Sequence, residues 1–141
     1  MTALKIDLQD FAMALTWRGS LYDSAHYLDT ETGEVIFVSD GADEDMIPPE
    51  LEDNPRYPCI EAIESSQAFG IMEDFIETVE DAAMAGRLAA ALERPKPFRR
   101  FKDTLLDDPA LRDAWFAFEL EAHRKIGTAW CAERGIEVEW A

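Results

Sequence analysis

The fold class follows from one stretch of the chain, AHYLDTETGEVIFV, which spans residues 25–38. Residues 25–28 and 34–38 are rich in apolar side chains and are predicted as two β-strands. The loop at residues 30–33 is short and ends in a glycine, so the stretch predicts an antiparallel hairpin. Because the second strand is apolar on both faces, we expect it to be covered on both sides or to lie in the middle of a sheet.

Helical patterns flank this hairpin. Apolar residues recur every three or four positions in five segments, at residues 7–15, 66–80, 82–93, 98–106 and 109–134. Ser65 or Ser66 and Asp108 are the expected N-caps of the second and the last of these helices. Two further short strands are predicted at residues 57–63 and 136–140. The sequence therefore predicts a single α+β domain, residues 1–141, in which a small hairpin-based antiparallel sheet packs against four to five helices.

The net charge of −17 is distributed unevenly along the 141 residues. Residues 1–86 carry 20 acidic and three basic side chains, whereas residues 87–141 carry ten of each. A chain this acidic repels phosphate backbones, so we expect no direct binding to nucleic acid. No apolar run approaches the ~18 residues of a membrane span, and the first 15 residues lack the pattern of a secretory signal. We therefore expect a cytoplasmic protein with no membrane partner.

The two cysteines, Cys59 and Cys131, belong to no CxxC or Cys/His motif. A small secreted domain usually has more cysteines, at regular spacings. We interpret both as buried thiols in a reducing compartment, and a long-range disulfide is the alternative.

Three segments form a distinctive combination: MEDFIETV at residues 72–79, FRRFKD at residues 98–103 and WFAF at residues 115–118. Together with YLDTETGEV at residues 27–35, they resemble a family of small acidic bacterial proteins of unassigned function, one of the uncharacterised-protein-family series. The resemblance covers most of the chain. It implies one domain and a bacterial cytosolic setting, and it implies no activity, substrate or cofactor.

Five cationic side chains fall within nine positions of this acidic chain: Arg94, Lys96, Arg99, Arg100 and Lys102. Guanidinium groups bind phosphate and carboxylate through paired hydrogen bonds, so Arg99, Arg100 and Lys102 form a candidate anion site. The alternative, which we favour, is internal pairing. In that case the cations neutralise the acidic helix at residues 66–81 or the carboxylates near Asp43.

The helix predicted at residues 66–80 places its acidic side chains in one sector, about a third of its circumference. These residues are Glu73, Asp74, Glu77, Glu80 and the adjacent Asp81. The sector is a candidate surface for a basic partner protein or, with ligands from another segment, for a divalent cation. The alternative, which we favour, is a solvated helix face. The acidic run that begins at Asp40 fails the spacing of an EF-hand calcium loop.

The last predicted helix has two apolar stripes on different sides. The main stripe includes Trp115 and Phe118, and the second consists of Phe116, Leu120, Gly127 and Cys131. A helix with two apolar sides is either packed on both or exposes one to a partner. We favour packing on both sides, and Phe116 and Leu120 are the candidate partner surface if one side is exposed.

No pattern in the sequence points to catalysis or to a cofactor. The chain lacks a nucleophile elbow and a glycine-rich phosphate loop. Glu119 and His123 lie one helical turn apart and supply at most two metal ligands, fewer than zinc needs, and His26 is remote in sequence. We predict no catalytic residue, no metal and no cofactor.

These observations leave several functional hypotheses open. The leading one is a non-catalytic protein-interaction or regulatory module that binds a basic protein or self-associates through its C-terminal helix. The second is a binding protein or enzyme for a small anion, a phosphate or nucleotide, that uses Arg99, Arg100 and Lys102. A third is an inhibitor whose carboxylates mimic the phosphates of nucleic acid, and the weakest is a divalent-cation binder.

Overall fold

The computed structural model describes residues 3–17, 24–39, 51 and 54–141. These residues form five α-helices and five short β-strands, which confirms the predicted α+β class. The chain forms two compact units, one from residues 1–63 and 123–141 and the other from residues 64–122. The single domain over residues 1–141 stays a prediction.

The predicted hairpin is present in the first unit. Strand β2 (Ser24–Leu28) pairs antiparallel with β3 (Val35–Ser39), so that His26 lies opposite Phe37, and the short β4 (Cys59–Ile60) pairs with the other edge of β2. In the described part of the chain, β3 therefore lies at the edge of a three-stranded sheet. Phe37 is 45% exposed. Among the described residues β2 takes the central position, which differs from the expectation that β3 is central or covered on both faces.

A second sheet in the same unit pairs the two ends of the described chain. Strand β1 (Leu4–Ile6) runs parallel to β5 (Val138–Trp140). Helix α1 (Leu8–Thr16) follows β1, and the Asp7 carboxylate accepts a hydrogen bond from the backbone N–H of Asp10 at its start. On α1, the buried ring of Phe11 makes an edge contact with Trp140 at a centroid distance of 5.4 Å. These contacts form part of the core of the first unit.

The second unit is helical. It contains α2 (Ser65–Thr78), α3 (Ala82–Leu92), α4 (Pro97–Leu105) and the part of α5 (Pro109–Glu133) that ends at residue 122. Trp115 is 1% exposed and lies between the rings of Phe75 and Phe101, at centroid distances of 5.3 and 5.0 Å. The remaining buried core residues are Met72, Leu88, Leu92 and Leu105. Such aromatic contacts contribute ~1 kcal/mol each beyond the burial of area.

Polar caps mark where the helices begin. The Asp81 carboxylate accepts hydrogen bonds from the first turn of α3, and Asp108 accepts one from the backbone N–H of Leu111 in α5. The expected cap at Asp108 is thus present. Pro109, which follows it, suits the first position of the helix because proline has no N–H group that would need a partner there. The expected serine cap of α2 was wrong. Glu64 occupies that position without a side-chain hydrogen bond, and Ser65 already belongs to the helix.

The two cysteines differ in environment. Both are free thiols, but Cys131 is buried whereas Cys59 is exposed, so the expectation of two buried thiols was wrong for Cys59. Cys59 lies on β4, an edge strand in the described part of the chain. Among the described residues, no helix combines the length and the apolar character that a membrane crossing requires.

Candidate functional site

Helix α4 carries the three cations of the candidate anion site, Arg99, Arg100 and Lys102, and its buried apolar side chains determine where they lie. Phe101 and Leu105 are buried in the core of residues 64–122, which fixes one side of the helix inward. The helix begins at Pro97, directly after Lys96, whose backbone is left-handed with φ 57° and ψ 56°. This conformation is uncommon for lysine. It occurs in the short connection that lets α4 pack against α3.

The three cations of the candidate anion site do not line a common surface. Arg100 lines a groove between α3 and α4, whereas Arg99 and Lys102 are not among the groove residues. The Nε atom of Arg99 lies 3.9 Å from a carboxylate oxygen of Asp103, and its side chain is 74% exposed. Burial raises the pKa of Glu119, and the positive charge of Lys102 partly offsets that rise. The structure thus brings one predicted residue to a concave surface and leaves the other two elsewhere on α4.

The groove is lined mainly by charged side chains. Its volume is about 440 Å³, within the range of small-molecule sites. The described residues that line it are three arginines, two aspartates, one threonine and two alanines: Arg87, Arg94, Arg100, Asp103, Asp107, Thr104, Ala90 and Ala91. Its formal charge is therefore slightly positive in a chain whose net charge is −17.

Two of the three arginines are fixed by neighbouring groups. Nη2 of Arg87 donates a hydrogen bond to Oδ2 of Asp107 at 2.6 Å, and Nε of Arg100 donates to the Pro95 carbonyl at 2.8 Å. The side chain of Arg94 has no hydrogen-bond or ion-pair partner among the residues that the structure describes. The groove therefore contains two positioned guanidinium groups and one that is available to a ligand.

Arg87 is the groove residue that the sequence prediction missed. Positions 87, 90 and 91 lie on one face of α3, and Arg94 follows two residues after the end of this helix. That spacing was the available signal. It was overlooked because Arg87 stands seven residues before the dense run of cations from Arg94 to Lys102.

The acidic sector of α2 is exposed to solvent. We refer to Glu73, Asp74, Glu77 and Glu80 as the acidic face, and each of these residues is exposed. The first three lie on α2, whereas Glu80 follows the helix, which ends at Thr78 and is therefore shorter than expected. Within the described ranges, none of them forms an ion pair with a lysine or an arginine. The favoured internal pairing between this helix and the cations at residues 94–102 is thus not made there. The carboxylates near Asp43 lie outside the described residues.

The second apolar stripe of α5 divides into an exposed and a buried part. Phe116 is 56% exposed and Leu120 is half-buried. Gly127 and Cys131 are buried, and a Cβ atom on Gly127 would lie only 2.7 Å from the Trp140 ring. The second stripe is therefore packed in the C-terminal turns of α5, whereas Phe116 remains accessible.

Both histidines lie in the interior of the protein. His26 and His123 are both buried, and burial lowers the pKa of each imidazole, which favours the neutral form at pH 7. The described part of the chain contains no group of three His, Cys, Asp or Glu residues arranged to hold a metal ion. The acidic run that begins at Asp40 lies outside the described residues.

Fold and surface together define a small α+β protein with an exposed acidic helix face and an arginine-lined groove. The chain belongs to the uncharacterised protein family UPF0158, whose family model matches residues 2–139. This confirms the family resemblance expected from the sequence. The chain is also 32% identical over 138 residues to the "UPF0158 protein PA5073" of the bacterium Pseudomonas aeruginosa, covering 97% of this chain and 88% of the relative. No solved structure matches the chain.

Proposed function

We propose that this protein is a non-catalytic interaction module that binds a basic partner protein through the acidic face of α2. The observation that carries the proposal is the unpaired state of this face. Residues 64–122 contain seven lysines and arginines, all within residues 87–112, yet none of them forms an ion pair with the four carboxylates in the described structure. The acidic face is therefore available to cations from outside the chain.

The spacing of these carboxylates supports an external partner. Glu73 and Glu77 are four residues apart and Asp74 and Glu77 are three apart within α2, so they are neighbours on the helix surface. Like charges at these spacings destabilise a helix by ~0.2–0.5 kcal/mol per pair. A cationic partner would relieve this repulsion, and it would be attracted from a distance at low salt.

Exposed apolar residues of the same unit can supply the anchor that charged faces lack. Stable interfaces concentrate their binding energy in a few aromatic or apolar side chains inside a polar rim. Phe116 is 56% exposed and has the size of such an anchor. We include Phe116 and Leu120 in the proposed partner surface, and self-association through this part of α5 is the alternative occupant. We place the protein in the cytoplasm, a setting that suits two free cysteines.

The test is a capture experiment with two charge-matched variants. One variant neutralises the acidic face through Glu73→Gln, Asp74→Asn, Glu77→Gln and Glu80→Gln. The control neutralises four exposed carboxylates elsewhere, through Glu34→Gln, Glu61→Gln, Glu137→Gln and Glu139→Gln. We expect a basic protein from a lysate of the source bacterium to bind the wild type and the control, to be lost from the face variant, and to dissociate as salt is raised.

Two results would contradict the proposal. One is equal capture by the face variant and the control, because the four charges of the acidic face would then have no special role. The other is the absence of any captured protein at low salt. Displacement of the captured protein by duplex DNA would instead favour the inhibitor that mimics nucleic acid, since both ligands would then compete for one basic surface.

A further inference from the structure

We propose that the groove between α3 and α4 binds the phosphate group of a small polyhydroxylated molecule, such as a sugar phosphate, through Arg87, Arg94 and Arg100. This site differs from the proposed protein-binding surface. It also differs from the anion site expected at Arg99, Arg100 and Lys102, with which it shares Arg100 alone. The argument rests on how the groove residues are held and on which hydrogen bonds they still have to offer.

The arginines retain most of their hydrogen-bonding capacity. A guanidinium group has five N–H donors. Arg87 uses one for Asp107 and Arg100 uses one for the Pro95 carbonyl, while Arg94 uses none among the described residues. Each anchored arginine is oriented by its single bond and keeps four donors for a ligand. A ligand that meets groups already in position loses less conformational entropy on binding.

The charge of the groove favours a phosphate over a carboxylate. Asp103 and Asp107 lie in the groove and offset two of its three positive charges. A monoester phosphate carries close to two negative charges at neutral pH and has three acceptor oxygens. It therefore competes with the Asp107 carboxylate for Arg87 better than a singly charged carboxylate does, and it can accept from all three guanidinium groups.

The remaining groove residues indicate which chemical groups the part of the ligand outside the phosphate should carry. The Thr104 hydroxyl donates its hydrogen to the Arg100 carbonyl at 2.8 Å, so toward the groove its oxygen is an acceptor. The Asp103 carboxylate is also an acceptor. Acceptors of this kind suit the hydroxyl groups of a polyol. The apolar part of the lining is Ala90 and Ala91, and no aromatic side chain of the described residues lines the groove to stack on a nucleobase.

Isothermal titration calorimetry of the full chain tests this site with four probes: glucose 6-phosphate, inorganic phosphate, glucose and AMP. We expect glucose 6-phosphate to bind most tightly, inorganic phosphate and AMP more weakly, and glucose to produce no binding heat. Absence of binding by both glucose 6-phosphate and inorganic phosphate would overturn the proposal. Tighter binding of AMP than of glucose 6-phosphate would overturn the choice of a polyol.

Two matched variants separate the groove from the general charge of α4. Arg94→Gln removes a groove cation without breaking a hydrogen bond of the described structure, and we expect it to weaken glucose 6-phosphate binding about tenfold. Arg99→Gln removes the same charge from an exposed position outside the groove, and we expect a change of about twofold at most. Equal weakening by both variants would show a nonspecific charge effect and would refute the site.

Asp107→Asn is expected to strengthen phosphate binding, whereas Arg94→Gln is expected to weaken it. The substitution removes a negative charge from the groove and leaves an amide oxygen that can still accept the hydrogen bond that orients Arg87. We therefore expect inorganic phosphate to bind several-fold more tightly to this variant than to the wild type, roughly in line with the loss of one repulsive charge. Unchanged or weaker phosphate binding would contradict the assignment of Arg87 to the site.

Discussion

Arg56 forms a two-point ion pair with Asp29, in which Nε lies 2.9 Å from Oδ1 and Nη2 lies 3.0 Å from Oδ2. The Asp29 side chain is 7% exposed, and it also accepts hydrogen bonds from the backbone N–H groups of Glu31 and Thr32. In addition, the backbone N–H of Thr30 donates to the Arg56 carbonyl at 2.9 Å. The turn after β2 is thus tied to the segment before β4. Sequence reasoning missed this pair, because its members lie in two different loops.

Replacement of Asp29 should destabilise the fold. In Asp29→Asn the amide keeps one acceptor oxygen and turns an NH₂ group toward the Arg56 guanidinium, so a charge-assisted hydrogen bond is lost. We expect the free energy of unfolding to fall by about 1–3 kcal/mol, measured by urea denaturation followed by tryptophan fluorescence. Glu31→Gln is the control, since Glu31 also pairs with Arg56 but is 67% exposed, and its effect should be much smaller. Equal losses for the two variants would show that burial of Asp29 is irrelevant.

The same pair predicts a pH dependence at acid pH. The hydrogen bond from Arg56 lowers the pKa of Asp29 from 3.8 to about 2. Because the folded pKa lies below the unfolded one, ionised Asp29 stabilises the fold at every pH above the unfolded value. That contribution is lost as the pH falls from about 3.8 toward about 2. The stability difference between wild type and Asp29→Asn should therefore be constant near neutral pH and shrink in this window. A difference that stays constant down to the lowest pH would contradict the assignment.

Gly33 should not tolerate a side chain. Its φ is +82°, and a Cβ atom built on it would lie 1.9 Å from the carbonyl oxygen of Lys5, a backbone atom. Left-handed backbone costs a non-glycine residue ~1–2 kcal/mol before any clash. We expect Gly33→Ala to lower the free energy of unfolding by more than that amount. Gly86→Ala is the control, because Gly86 lies in α3 with nothing within 4 Å of a Cβ atom, and alanine there should add ~0.5–1 kcal/mol of stability. A harmless Gly33→Ala would contradict the close approach to Lys5.

The two thiols should react at very different rates. Cys59 is exposed, whereas Cys131 is fully buried and its burial raises the pKa of the thiol to about 11. The thiolate is the reactive form, so Cys131 is protected both by its burial and because its thiol stays protonated. Titration with a disulfide reagent at mildly alkaline pH should detect one fast thiol in the native protein and two after denaturation. Cys59→Ser should abolish the fast reaction. Two fast thiols in the native protein would contradict the burial of Cys131.

The helices could be predicted because their signals are local. The helix expected at residues 82–93 is α3, Ala82–Leu92, and the one expected at residues 109–134 is α5, Pro109–Glu133. Asp81 and Asp108 cap these helices through hydrogen bonds that span two or three residues. The hairpin could be predicted for the same reason, since Gly33 adopts a positive φ in the turn where the sequence required one.

The candidate site was only partly predictable. The density of cations at residues 94–102 drew attention to α4, yet the groove takes Arg94 and Arg100 from that run and adds Arg87 from α3. Two helices have to pack before it is known which of their side chains share a groove. The buried Phe101 and Leu105 rotate α4 so that Arg100 faces the groove and Arg99 does not. Charge density along the chain carries no information on that rotation.

By itself, the sequence determined the α+β class, the hairpin, the start of the last helix and the excess of acidic side chains in its first 86 residues. Each of these depends on interactions between residues a few positions apart, or on composition alone. Only the tertiary structure decided that β1 pairs with β5 across the length of the chain, that β2 rather than β3 is the central strand, and that Arg56 binds Asp29. These are long-range contacts. Their partners are selected by the path of the whole chain and the burial it achieves, which no short window of residues contains.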